Sequence, residues 1–238
     1  MANDYARTKA HACLMTFAWL FLVPNGIILA RYYKKLLPSL RILNVDFWFN
    51  GHRVLMISTF VLSIVAFFLV LSDHGWKWVE PEEKTAFAHS IFGIVIIGII
   101  IFQIIIGFVR PKKDSSFRKL FNWFHRSVGM ICLILAIVTI YLGVCIDDMG
   151  LKNVGWGVVL GWSLWLIIFI ALMEIVQNYN KNKNQYEYPP EQLDNHNSRY
   201  SMVDGVKIWL LVLHLIASLA FVVALITLIG LSKKEEKN

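Results

Sequence analysis

The chain has 238 residues, of which 57% are hydrophobic and only 16% are charged, and its mean hydropathy is +0.58. Soluble domains average about 45–50% apolar and about 25% charged residues. The apolar residues are also clustered, since residues 91–109 include no charged side chain. This composition excludes a disordered chain, a disulfide-framed secreted module and an ordinary soluble enzyme, and it predicts a polytopic membrane protein.

Six segments are long and apolar enough to cross a bilayer as helices, which takes about 20 mostly apolar residues. They cover residues 12–30, 54–71, 87–109, 128–146, 154–173 and 208–231. Because an open sheet cannot satisfy its backbone in lipid, the predicted fold class is all-α, with a single domain over residues 1–238. The longest connection, Gln177–Lys207, contains Pro189-Pro190 and is predicted to be an irregular surface loop.

The net charge of +7 comes from basic residues in the short loops between the spans. Such a location is typical of membrane proteins, so we expect no nucleic-acid partner. Six spans place both termini on one side of the membrane, and that side carries 8 Lys and Arg residues against 15 on the other side. The positive-inside rule therefore predicts extracellular or lumenal termini.

Histidine stands at the beginning of each of the first four predicted spans, as His11, His52, His89 and His125. Ionisable side chains at membrane depth are costly and usually functional. Because successive spans run in opposite directions, His11 and His89 are predicted at the outer face, and His52 and His125 at the inner face. Zinc would need three or four protein ligands, whereas two imidazoles suit the two axial positions of a haem iron. We therefore expect one haem near each face.

A glycine or a methionine stands four positions after each histidine, on the same face of the helix. The glycines follow the histidines of the third and fourth spans, and the methionines those of the first two: Gly93, Gly129, Met15 and Met56. A glycine leaves room where a porphyrin plane would lie, and a methionine is a flexible apolar side chain that can pack on a ring. We expect all four residues to contact haem.

An arginine directly follows both inner histidines, as Arg53 and Arg126. A guanidinium at this position can bind a haem propionate or an anionic substrate, or it can simply extend to the membrane interface. If about 13–15 helical residues separate the two histidine pairs, the two irons lie about 20 Å apart. Two haems stacked across a bilayer predict transmembrane electron transfer, from an inner donor to an outer acceptor.

The first four spans resemble the cytochrome b561 family, in the six-helix form found in ferric-chelate reductases of the stromal-cell-derived-receptor type. The motifs that carry the resemblance are Ala10-His11-Ala12, Ala18-Trp19, Pro24-Asn25-Gly26, Ala30-Arg31-Tyr32, residues 49–56, Ala88-His89 with Gly93, Gln103, Gly107, Arg110-Pro111, and residues 122–129. These motifs are specific as a set, whereas spans five and six match mainly by position.

The resemblance implies two b-type haems, ascorbate as the cytosolic electron donor, and a ferric chelate or monodehydroascorbate as the outer acceptor. It also implies a tendency to form homodimers. Reductases of this type join the helices to an outer domain called DOMON. The few residues before His11 leave no space for such a domain, so we expect this chain to lack it.

Basic side chains crowd the two inner loops, where they would attract an anion such as ascorbate. The candidate substrate residues on this side are Lys34, Lys35, Arg53, Arg110, Lys112 and Arg126. On the outer side, His74 is a candidate contact of the acceptor. His214 lies inside span six, where an imidazole needs a partner, and we expect it to bond a propionate or to support a ligand.

Two other classes of protein are compatible with the sequence. Pro24-Asn25-Gly26 interrupts span one, and interrupted helices form the binding sites of some transporters. A haem-free scaffold subunit is the second alternative. A membrane desaturase is excluded, because no two histidines are three or four positions apart.

Overall fold

The computed structural model describes residues 5–34, 41–112, 114–146, 150–187 and 202–232. Within them, six helices are long and apolar enough to cross a membrane, which confirms the all-α polytopic fold. The first membrane-spanning helix, here called the first span, consists of α1 (Ala6–Phe17), a π-helical segment (Ala18–Leu22) and α2 (Val23–Tyr32). The other helices are α3 (Phe47–Asp73), α4 (Lys84–Phe108), α5 (Arg118–Val144), α6 (Lys152–Glu187) and α7 (Met202–Leu231).

The helices begin earlier than the predicted spans. The four histidines therefore lie five to seven residues inside their helices and not at the beginning. Hydropathy marks the part of a helix that lies in hydrocarbon, whereas polar and aromatic residues continue the helix through the headgroup region. For the same reason the predicted irregular loop Gln177–Lys207 is wrong in its described part, since α6 continues to Glu187 and α7 begins at Met202.

A short hairpin that the sequence did not predict lies between α2 and α3. Strand β1 (Arg41–Ile42) pairs antiparallel with β2 (Val45–Asp46). The two residues of the turn, Leu43 and Asn44, have φ values of 53° and 62°, and positive values at both positions are what a type I′ turn requires. The Asn50 amide donates a hydrogen bond of 2.6 Å to the Ile42 carbonyl, which ties the hairpin to the start of α3.

The first span lies at the centre of the bundle. In its most apolar window 56% of the residues are buried, against 11% for α4. One side of the first span packs on α3, and α4 and α5 complete a core that includes Trp19 and Leu133. The other side packs on α6 and α7, in a core that includes Leu20 and Leu225. The first span thus lies between two groups of helices. On one side are α3, α4 and α5, which carry the other three paired histidines, and on the other side are α6 and α7.

Pro24 interrupts the hydrogen-bond ladder of the first span. Proline has no N–H, so the Leu20 carbonyl loses the donor that an α-helix would supply from residue 24. Just before Pro24 the backbone widens into the π-helical segment, in which the Val23 N–H donates to the Ala18 carbonyl. The Ser218 hydroxyl of α7 donates to the Leu20 carbonyl at 3.0 Å.

The hydrogen bond at this break continues into α6. The Trp162 indole N–H donates to the Ser218 hydroxyl at 3.4 Å, and Trp162, Ser218 and Leu20 are each 0% exposed. A backbone carbonyl without a donor is costly inside a bilayer, because no water is present to satisfy it. Helices α6 and α7 therefore stabilise the break in the first span.

Ser218→Ala should lower the midpoint of thermal unfolding in detergent, because the Leu20 carbonyl would lose this donor. Such a loss costs about 1–3 kcal/mol in soluble proteins and about 0.6 kcal/mol for an average bond in a membrane protein. Pro24→Ala restores a backbone donor, so Ser218→Ala should cost less in that background. Ser72→Ala is the control, because the Ser72 hydroxyl bonds a carbonyl of its own helix. If Ser218→Ala lowered stability equally with Pro24 and with Pro24→Ala, the assignment of Ser218 as the donor that replaces the lost backbone N–H would be wrong.

Candidate functional site

The four histidines of the first four spans form two pairs. The ring centroids of His11 and His89 are 6.1 Å apart, and those of His52 and His125 are 6.3 Å apart. Each pair joins one histidine from the first span or α3 to one from α4 or α5. The structure thus brings together the same residues that the alternating directions of the spans predict.

These separations fit an iron held between the two rings. A metal–imidazole bond is about 2 Å long and the ring centroid lies about 1.1 Å beyond the nitrogen, so two rings on opposite sides of one metal are about 6.2 Å apart. Among the described residues there is no group of three or more His, Cys, Asp or Glu side chains that could hold a metal. Two imidazoles per site would leave the remaining positions of an iron to a planar ligand, as in a haem.

Three of the four rings are fixed through their second nitrogen. The Nδ1 atoms lie 2.8–3.0 Å from backbone carbonyls of a neighbouring helix: His11 from Ala66, His52 from Gly26 and His89 from Thr139. A carbonyl can only accept, so each Nδ1 carries the hydrogen and donates it. Each Nε2 then retains its lone pair, which is the form of histidine that binds a metal.

These bonds follow a regular spacing. Each accepting carbonyl belongs to the helix that carries a histidine of the other pair, and it lies 14 or 15 residues after that histidine. At about 1.5 Å per residue, this spacing corresponds to about 21–23 Å along the helices.

His125 differs from the other three histidines. Its Nδ1 is buried and has no hydrogen-bond partner among the described residues. The ring is parallel to that of Phe121 to within 8°, with centroids 5.7 Å apart. Gln103 of α4 donates from Nε2 to the backbone carbonyl of His125 at 3.2 Å, while Gln103 Oε1 is likewise buried without a partner in the described part of the chain.

Two glycines that were not predicted as site residues allow the helices to approach the rings. A Cβ on Gly26 would overlap the methyl group of Met56 and lie 3.8 Å from His52 Nδ1. A Cβ on Gly143 would lie 3.0 Å from His89 Cε1. Each glycine is close to a histidine whose Nδ1 bonds the same helix, so a larger side chain would displace that ring.

The predicted glycines lie in a different environment. A Cβ on Gly93 or Gly129 would meet no atom within 4 Å, although both residues are partly buried. Open space one turn after a histidine is what a flat ligand on that histidine requires. Met15 and Met56 are partly buried and pack at the edge of the core around Trp19.

An open depression with a volume of about 390 Å³ lies on the side of the His52–His125 pair, between the hairpin and the α4–α5 connection. Four of its lining residues are basic: Arg41, Arg110, Lys112 and Arg118. Arg110 and Lys112 were predicted here, and the fold adds the other two. The guanidinium of Arg110 lies 4.5 Å from the ring centroid of Phe49, which belongs to the same helix as His52.

The cations near this depression repel one another. Partial burial and the charges of Arg126, Arg110 and Arg118 lower the pKa of Lys34, whose ammonium lies 4.7 Å from the Trp48 ring centroid. Burial and Arg118 also lower the pKa of Arg110. In the described ranges Arg41 pairs with Asp46 at 3.7 Å, whereas no ion pair with a carboxylate is formed by Lys34, Arg110, Arg118 or Arg126. Their unbalanced charge favours an anion.

The other predicted contacts lie at the surface. Arg53 and Arg126 are exposed, and the Arg53 guanidinium lies 5.6 Å from the Phe49 ring centroid. His74 is exposed just after α3, with Nδ1 3.0 Å from the Val70 carbonyl of the preceding turn. Lys35 lies outside the described residues.

His214 is 0% exposed, and the contacts that place it are with α6. The Trp165 indole N–H donates to His214 Nδ1 at 3.2 Å, and the ring centroid lies 4.2 Å from that of Phe169. Because an indole N–H can only donate, His214 Nδ1 carries no hydrogen. His214 Nδ1 therefore has its partner on α6, whereas His214 Nε2 is buried without a hydrogen-bond partner among the described residues.

Comparisons with known proteins identify a family and several relatives. A family model described as eukaryotic cytochrome b561 matches residues 10–148. Ferric-chelate reductase 1 of Mus musculus is 30% identical over 169 residues, which cover 70% of this chain and 28% of that protein. A cytochrome b561 and DOMON domain-containing protein of Arabidopsis thaliana is 31% identical over 168 residues, which cover 70% of this chain and 38% of that protein. No solved structure matches the chain.

The chain spans less than half the length of these curated relatives. The family model nevertheless covers more than half of this chain, and the matched region includes all four paired histidines. A pair of facing imidazoles on each side of the bundle is also compatible with a family of b-type cytochromes. The chain therefore belongs to the eukaryotic cytochrome b561 family.

Proposed function

We propose that this chain transfers electrons across the membrane by means of two b-type haems, from ascorbate on one side to a ferric chelate on the other. The observation that carries the proposal is the presence of two histidine pairs with ring separations of 6.1 and 6.3 Å. His11 and His89 would hold one haem, and His52 and His125 the other. Bound haem supplies one-electron chemistry between ferric and ferrous iron.

The protein prepares its ligands through contacts that do not involve the metal. Backbone carbonyls hold His11, His52 and His89 in the form with a free Nε2. Ligands held in place by the surrounding bundle need little rearrangement when the iron changes its charge, which favours fast electron transfer.

The residues one turn from the ligands would shape the haem pockets. Gly93 and Gly129 leave open space beside α4 and α5. Met15 and Met56 would pack their flexible side chains against a porphyrin face. Arg53 and Arg126, which are exposed next to the ligands His52 and His125, would bind the propionates or an anionic substrate.

We infer that the side with the His52–His125 pair faces the cytosol, because it carries 15 of the 23 Lys and Arg residues. Ascorbate is an anion, and the depression lined by Arg110 and Lys112 would attract it. An anion bound there would also reduce the repulsion that lowers the pKa of Lys34.

The proposed acceptor, a ferric chelate, rests on the name of the mouse relative, ferric-chelate reductase 1. Monodehydroascorbate is the other acceptor that the family resemblance implies. His74 is exposed on the side of the His11–His89 pair and is available to either acceptor.

A transporter is less well supported than an electron carrier. The interruption of the first span, which suggested a transport site, is packed by Leu20, Trp162 and Ser218, and all three are 0% exposed. In the described part of the chain, this interruption is buried against α6 and α7.

The purified protein should contain two b-type haems per chain, measured as the pyridine haemochromogen, and ascorbate should reduce them. Replacing both members of one pair, in His11→Ala/His89→Ala, should leave one haem. Replacing one member of each pair, in His11→Ala/His52→Ala, should leave none. A colourless preparation from haem-replete cells would refute the function, and equal haem contents in the two double variants would refute the pairing.

Gly143→Ala should displace the His89 ring and reduce the occupancy of the His11–His89 site, because the new Cβ would lie 3.0 Å from His89 Cε1. Haem content and the absorption spectrum measure this loss. Gly98→Ala is the matched control, since a Cβ there meets no atom within 4 Å. Full occupancy of both sites in Gly143→Ala would contradict the contact.

Arg110→Gln should raise the KM for ascorbate about tenfold, the effect of losing about 1.4 kcal/mol from a charge-assisted contact. The initial rate of haem reduction at varied ascorbate concentration measures it, and a neutral reductant should react at an unchanged rate. Arg7→Gln is the control, because it removes the same single positive charge from the opposite side of the membrane. An unchanged KM in Arg110→Gln would exclude this depression as the donor site.

The acceptor can be tested on the same preparation. After reduction by ascorbate, addition of a ferric chelate should reoxidise the haems, and the ferrous product can be trapped with a colorimetric chelator. Faster reoxidation by monodehydroascorbate than by any ferric chelate would assign the other acceptor.

A further inference from the structure

Three of the paired histidines donate a hydrogen bond from Nδ1 at a regular spacing along the partner helix. This spacing predicts the partner of the fourth histidine, His125. Each of them donates to a residue on the helix that carries a histidine of the other pair, 14 or 15 positions after that histidine. For His125 the corresponding helix is α4, which carries His89. The residue 14 positions after His89 is Gln103.

Gln103 already contacts His125. Its Nε2 donates to the His125 carbonyl at 3.2 Å, so the two residues lie at the same depth. Gln103 also stands in an otherwise apolar stretch of α4, between Ile99 and Gly107. A primary amide at this depth is costly unless its polar atoms are bonded, which indicates that the side chain has a specific partner.

The two residues contain complementary unpaired atoms. His125 Nδ1 and Gln103 Oε1 are both buried, and neither has a hydrogen-bond partner within the described ranges. When His125 binds iron through Nε2, its neutral ring carries the hydrogen on Nδ1 and must donate. An amide oxygen can only accept. The unsatisfied donor and the unsatisfied acceptor thus belong to two residues that are already joined by the hydrogen bond from the Gln103 side chain to the His125 backbone carbonyl.

We propose that Gln103 is the positioning residue of His125, and that its Oε1 accepts the Nδ1–H of His125 when haem is bound. The inference rests on the proposed haem function. Three ligands are oriented by backbone carbonyls, which the helices hold in place, whereas the fourth is oriented by a side chain. The His52–His125 site therefore has an orienting bond that a single substitution can remove without altering the backbone.

Removal of this bond has a defined effect on the iron. An acceptor on Nδ1–H makes the imidazole a stronger donor to the metal, which stabilises ferric iron relative to ferrous iron. Gln103→Leu, which has a similar volume and no acceptor, should raise the midpoint potential of the His52–His125 haem. We expect the ferrous-to-ferric ratio at fixed ambient potential to rise about tenfold, which corresponds to about 59 mV for one electron.

The experiment is a redox titration of the purified two-haem protein, with the low-spin ferric EPR signals recorded on the same samples. The His11–His89 haem is the internal control and should keep its potential and signal in Gln103→Leu. Gln103→Glu retains a carbonyl oxygen at the same position and should return the affected potential to the wild-type value or below. Selective loss of one haem in Gln103→Leu, with retention of both in Gln103→Glu, would also support the proposal.

Three results would overturn it. They are unchanged potentials and EPR signals in Gln103→Leu, equal shifts of both haems, and loss of both haems in both variants. These results can be distinguished from failure of the proposed function, because in that case the wild-type protein itself would contain no haem. Absence of haem from the wild type would remove the basis of both proposals.

Discussion

An imidazole that binds a metal through one nitrogen must place the hydrogen of the other nitrogen on an acceptor, and a bilayer offers no water for this purpose. Here three histidines donate to backbone carbonyls of a neighbouring helix. A carbonyl oxygen has two lone pairs, so it can accept from an imidazole and still belong to a helix. This arrangement requires the two backbones to be close together. Gly26 and Gly143 supply the space, because a side chain at either position would collide with a neighbour of the ring or with the ring itself.

The direction of these bonds divides the histidine-bearing helices into two units. The Nδ1 bonds run between the first span and α3, and between α4 and α5. The close ring pairs, by contrast, always join a member of one unit to a member of the other. Hydrogen bonds therefore stiffen each unit internally, whereas a metal between the paired rings would connect the two units. In this arrangement a cofactor held between the paired rings would contribute directly to the packing of the bundle.

The sequence was sufficient to predict the six spans and the two histidine pairs, because hydropathy and alternating direction determine both. The helix ends were not predictable to the same degree, since hydropathy does not report on helical turns in the headgroup region. Ala66 and Thr139 act through backbone carbonyls, so their side chains carry no signal of their role. Gln103 was visible as an amide in an apolar stretch, but its partner could be identified only from the spacing of the other three bonds.

The contacts of His214 show a further limit of sequence reasoning. A histidine inside span six predicts a role next to haem, which stays a prediction, and the aromatic neighbours that hold its ring, Trp165 and Phe169 of α6, were not predicted. Aromatic residues are common on lipid-facing surfaces of membrane helices, so the sequence alone could not distinguish a buried aromatic partner from an exposed one.

The hydrogen bond from Ser218 to the Leu20 carbonyl has a consequence for biosynthesis. The two residues are 198 positions apart, so the first span enters the membrane long before its donor has been translated. Until α7 arrives, the carbonyl freed by Pro24 has to rely on transient partners, such as water in the translocation channel or lipid headgroups. The packing of the most buried helix of the bundle is thus completed only after α7 has been made, and translation of α7 sets the earliest moment at which the first span reaches its final packing.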